Sequence, residues 1–65
     1  MKYFMGIDRT DNREHKKYKA AVCVMDDIGN IRYFWATDQR EEFDKEVERL
    51  KRYYGLSKLQ VREEK

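Results

Sequence analysis

A chain of 65 residues with 43% charged and 40% hydrophobic residues buries only about 60% of the surface its unfolded form exposes, so one compact unit, without a second domain, is expected. Aromatic residues at 14% argue against a disordered segment, which would be poor in them. Fifteen Lys and Arg against thirteen Asp and Glu leave a net charge of +2, too little to imply nucleic acid from the total alone.

The opening "KYFMGID" is aromatic and β-favouring and runs into the polar stretch "RTDNREHKK". It predicts a first strand over Lys2 to Asp8 followed by a loop. Tyr18 to Met25, rich in Val, and Ile31 to Thr37, with Tyr, Phe, Trp and Thr, predict two further strands. Between them, "DDIGN" suits a tight turn in which Gly29 and Asn30 supply a left-handed conformation cheaply, so the pair reads as a hairpin.

The helix signal comes next. Asp38 is placed to cap a first turn with Glu41 reaching back to it, and Phe43, Val47, Leu50 and Tyr54 form one stripe of a 3.6-residue period. Gly55 marks the stop. Acids gather at the start and bases near the end, and Glu41 with Lys45 and Glu48 with Arg52 stand four apart, so most of this charge is a solvated face. Leu59 and Val61 in "SKLQVREEK" predict a short last strand. The fold class is therefore α+β: a three-stranded antiparallel sheet, one helix on one face, and a short fourth strand in the order β-β-β-α-β. Should the last strand lie beside and parallel to the first, the connection through the helix is expected to be right-handed.

The hairpin is apolar on both faces. Unbroken alternation groups Ala21, Cys23 and Met25 with Ile31, Tyr33 and Trp35, and Ala20, Val22 and Val24 with Phe34 and Ala36. On the first strand Tyr3, Met5 and Ile7 share one side and Phe4 takes the other. A single narrow helix stripe hides one face only, and a bare apolar face marks a partner surface. The expected contact residues are Tyr3, Met5, Tyr33, Phe34 and Trp35, and the expected partners are a second copy of the chain and another protein.

Cys23, the one cysteine, sits among Ala21, Val22, Val24 and Met25 and reads as a buried structural thiol in a reducing compartment. No apolar run approaches the length of a membrane span and no signal-peptide pattern is seen, so a cytoplasmic, membrane-free protein is expected. His15 has no second histidine or cysteine at metal spacing, and no triad or phosphate-binding glycine loop can be assembled. No enzyme, metal or cofactor is expected.

The segment from Arg9 to Lys19 carries Arg9, Arg13, Lys16, Lys17 and Lys19 against Asp11 and Glu14. Beside the aromatic strand "RYFW" it offers an alternative reading, a nucleic-acid-binding module with a phosphate-contacting arm. The hairpin "KYKAAVCVMDDIGNIRYFWAT" resembles, in pattern, those of phage-type integrase arm-binding domains, which place three strands before a helix.

Two further resemblances rest on strand order. An acid ending the first strand in "GID" and the order of elements resemble the first half of the ribonuclease H-like fold, whose nucleases hold two metal ions with several carboxylates. The strand order itself gathers Asp8, Asp38 and Glu63 or Glu64 at one sheet edge, with Asp26 and Asp27 at the other. The later strand and helix that complete the family's acidic set have no counterpart in these residues, so a full carboxylate clamp for two-metal hydrolysis is not expected, and the plain reading of Asp8 is a turn acid. Met1 to Tyr3 ("MKY"), the "VMDDIGN" stretch and the helix after it are similar to HicB-like antitoxins. That resemblance implies a dimer that binds a partner protein, although this chain lacks the family's proline-rich turn and has a longer polar loop.

Overall fold

The computed structural model describes residues 2–12 and 17–64. It contains β1 (Tyr3–Asn12), β2 (Lys17–Asp26), β3 (Ile31–Thr37), α1 (Arg40–Tyr54), a 3₁₀ turn (Lys58–Gln60) and β4 (Val61–Glu64). The strands form one mixed sheet in the order β3-β2-β1-β4, with β1 to β3 antiparallel and β4 parallel to β1. The α+β class and the short fourth strand are as the sequence predicts, and the structure places that strand beside the first and parallel to it.

The first hairpin is longer than its residues suggest. β1 does not end at Asp8 but runs on through "RTDN", pairing without a break from Tyr3 opposite Asp26 to Asn12 opposite Lys17. Asp and Asn are poor strand formers, and the ladder supplied by β2 overrides that preference.

The second hairpin turns where expected. Gly29 takes φ 90°, and the buried Asp26 accepts hydrogen bonds at Oδ1 from the backbone N–H groups of Ile28 and Asn30, at 3.1 and 2.8 Å. A side chain that bonds its own turn in this way fixes the loop's shape. Immediately after it, the register shifts. Met25 faces Ile31, but Val24 faces Tyr33, so Arg32 is an extra residue, a bulge.

That one residue corrects the predicted faces. Beyond the bulge Val22 pairs with Trp35 and Cys23 with Phe34, so Tyr33 and Trp35 join the Ala20, Val22 and Val24 face while Phe34 and Ala36 join Ala21 and Cys23. Because side chains alternate with a period of two, one inserted residue moves every later side chain to the opposite face.

The helix starts one residue later than predicted. Gln39 is the N-terminal cap residue, in extended conformation and without a side-chain bond to the first turn. Asp38 lies too early to cap; its Oδ1 accepts from Gln39 Nε2, while Thr37 Oγ1 accepts from the Gln39 N–H. At the other end Gly55 adopts φ 63°, with its N–H on the Arg52 carbonyl and that of Leu56 on the Lys51 carbonyl. These two bonds define a Schellman stop, which a left-handed glycine makes without strain. The ion pairs seen along α1 are Arg49–Glu46 and Lys51–Glu48, three apart rather than four. Leu59 is almost fully exposed in the 3₁₀ turn rather than in the last strand, and Val61 alone of the two contributes to β4.

Phe43, Val47 and Leu50 press the helix onto Met5, Ile7, Ala20, Val22 and Val24, forming the core. Tyr3, Tyr33, Trp35, Tyr54 and Val61 pack around its margin. Trp35 stacks on Phe43 with ring centres 6.3 Å apart. Arg9 spans the layer from β1. Its guanidinium lies over the Phe43 ring and meets Asp44 at 3.6 Å and Glu63 at 3.2 Å, tying β1 to α1 and β4.

Candidate contact surface

With α1 on one face, the other is left without cover among the described residues. The registers place its side chains in rows across the strands: Phe34, Cys23, Gly6 and Arg62 in one, then Ala36, Ala21 and Asp8 in the next. Phe4 and Met25 face each other across β1 and β2 in a third row. Phe34 is 64% exposed, Phe4 43% and Met25 38%, although all are strand residues within the sheet.

The centre of this face is low because its residues are small. A Cβ built on Gly6 would meet nothing within 4 Å. A shallow groove of about 270 Å³ results, lined by Gly6, Asp8, Ala21, Cys23, Phe34 and Arg62. It continues through Asp8 and Ala21 into a second hollow of about 420 Å³ bordered by Thr10, Lys19, Ala36 and Asp38. Aromatic ridges beside an apolar floor, with Asp8, Asp38, Lys19 and Arg62 at the rim, are the makings of a surface that binds by shape and apolar contact.

Of the contact residues expected from sequence, Phe34 alone belongs to this open face. Met5, at 1% exposure, lies beneath the helix and is unavailable to a partner. Tyr3, Tyr33 and Trp35 are half-buried on the helix side, Tyr33 donating to Glu46 Oε2 at 2.8 Å. Arg49 and the Tyr33 hydroxyl together hold the Glu46 carboxyl below its usual range, and the same contact, with burial, raises Tyr33. Phe4, Met25, Cys23 and Arg62 take the vacated places. The aliphatic run Ala20, Val22 and Val24 was the available signal, since a Val-rich set suits the covered side. Cys23 is accordingly half-buried on the open face rather than sealed in the core.

Among the described residues, Arg9 stands apart from Lys17 and Lys19. Arg9 is committed to Asp44, Glu63 and Phe43. Lys17 and Lys19 are exposed on β2, and Arg13 and Lys16 lie outside the described residues, as does His15. Of the acids expected at one edge, Glu64 stands opposite Asp8 in the β1–β4 register and Glu63 does not join them. Asp8 and Asp38 border the same hollow, whereas Glu63 is bound to Arg9 on the helix side. Asp26, read from sequence as a remote acid, is the keystone of the second turn and is paired with Arg32 at 3.2 Å.

Among the described residues no helix is long and apolar enough to cross a membrane. No family model matches the chain, and no curated protein or solved structure matches it.

Proposed function

We propose that this chain is a small binding module that works by contact and carries no chemistry of its own. It holds another protein against the open sheet face, in the manner of an antitoxin or inhibitor, and associates with itself. The observation that supports this reading is the exposure of Phe4, Met25 and Phe34 beside the hollow floor of Gly6, Ala21 and Cys23. Exposed aromatic side chains around a small-residue floor give a partner both anchors and a place to seat them.

The test compares the chain with a Phe4→Glu, Phe34→Glu double variant as bait in an extract of the source cells, with and without nuclease. The reading expects a protein that survives nuclease, is retained by the parent and is lost by the variant, while circular dichroism shows both folded. Capture that disappears with nuclease and is indifferent to the two substitutions would instead favour a nucleic-acid module.

A further inference from the structure

The two edges of the sheet differ. β4 is four residues long and its sequence, "VREE", is mostly charged, two of the devices that keep an edge from pairing with another chain. β3 has seven residues, no Lys and no Pro, and its one charge, Arg32, lies in the bulge at its start. From Tyr33 to Thr37 it is regular, uncharged and rich in residues that favour strands. Among the described residues its outer row of backbone N–H and C=O groups has no neighbouring strand, because β3 is the end of the sheet.

We infer that β3 pairs antiparallel with β3 of a second copy about a two-fold axis at Trp35, joining two four-stranded sheets into one. The inference deepens the reading of the chain as a contact module and rests on it. A dyad perpendicular to the sheet permits only registers in which some residue faces its own counterpart, since a one-residue slip would set the helix side of one copy against the open side of the other. Centring on Phe34 would draw the Arg32 bulge into the ladder, and centring on Ala36 would shorten it. Centring on Trp35 uses the whole bulge-free stretch.

That register is also chemically matched. Trp35 meets Trp35 of the copy, Tyr33 meets Thr37, and Phe34 meets Ala36, a large side chain beside a small one on the open face. Just outside the ladder, Arg32 of each copy comes opposite Asp38 of the other. Arg32 is 45% exposed while its Nε leans on Asp26, and Asp38 is exposed, so both can take part. Two symmetric ion pairs would thus close the ends of an aromatic cross-strand seam. Both helices then lie on one side, and the two open faces merge into one larger surface with Phe34 of each copy beside the seam.

The experiment is sedimentation across a concentration series, joined to amide hydrogen exchange, fluorescence of Trp35 (the chain's one tryptophan) and alkylation of Cys23. In a monomer the outward amides of Tyr33–Thr37 exchange fast while their inward neighbours are protected. Edge pairing predicts that all become slow together as the dimer forms, that Trp35 emission shifts to the blue, and that Cys23 labels at an unchanged rate. Asp38→Arg, which sets like charges opposite each other, should weaken association by about tenfold or more without altering the monomer's circular dichroism. A dimer whose outward β3 amides still exchange fast while Cys23 becomes protected would be joined face to face and would overturn the edge pairing, leaving the contact reading standing. A monomer at every concentration also overturns it, and partner capture through Phe4 and Phe34 then judges the contact reading separately.

Discussion

Cys23 stands opposite Phe34 across β2 and β3, one residue out of step with the pairing that an unbroken hairpin would give. The displacement originates at Arg32, which is extra to the ladder, so deleting that residue should leave Tyr33 opposite Val24 and Trp35 opposite Val22 and keep their packing on the helix side. The loss falls on the Arg32 ion pair with the buried Asp26, on the order of 1–3 kcal/mol. The deletion variant is expected to keep a cooperative thermal transition at a lower midpoint with Trp35 emission unchanged, and exposure of Trp35 in the folded variant would show that Arg32 is not the surplus residue.

The two sides of the sheet should respond differently to truncation. Phe43 is fully buried, and Phe43→Ala should destabilise by about 3–5 kcal/mol, enough to unfold most of the population. Phe34→Ser on the open face should change stability by about 1 kcal/mol or less when measured on the dilute chain. Urea unfolding of the two variants checks the contrast.

Acid should loosen the second turn. Burial opposes the charge of Asp26, but the backbone N–H groups of Asn30 and Ile28 and the Arg32 guanidinium outweigh it and hold the carboxyl below its ordinary value near 3.8. A lowered folded value means that the stability it confers is present above about pH 4 and is lost as pH falls through the lower, folded value. Glu46, lowered by Arg49 and Tyr33, acts in the same direction. Thermal melts from pH 6 to pH 2 should show a falling midpoint, and Asp26→Asn should start lower at pH 6 and fall less steeply.

Two glycines make opposite predictions. Gly55 is left-handed at the helix stop, so Gly55→Ala should destabilise by about 1 kcal/mol. At Gly6 an added Cβ meets open space and the backbone is ordinary strand, so Gly6→Ala should be neutral or stabilise by about 0.5 kcal/mol through the unfolded chain. The same methyl group partly fills the groove, so it should weaken partner capture while leaving the melt intact.

The amino-acid sequence alone determined the local elements and the imbalance between sheet and helix. Val and aromatic runs define strands, a four-residue stripe followed by Gly55 defines the helix, and one stripe covers one face; each follows from patterns a few residues long. Phe4 on the opposite side from Tyr3, Met5 and Ile7 was legible for the same reason. Tertiary structure decided the rest. Continuation of β1 through "RTDN" depends on a partner strand overriding weak propensity, and the fate of Asp26 depends on a turn closing around it. Which aromatic residues reach the open face depends on the Arg32 bulge, because face assignment in a sheet is a parity, and a single inserted residue reverses it for everything downstream.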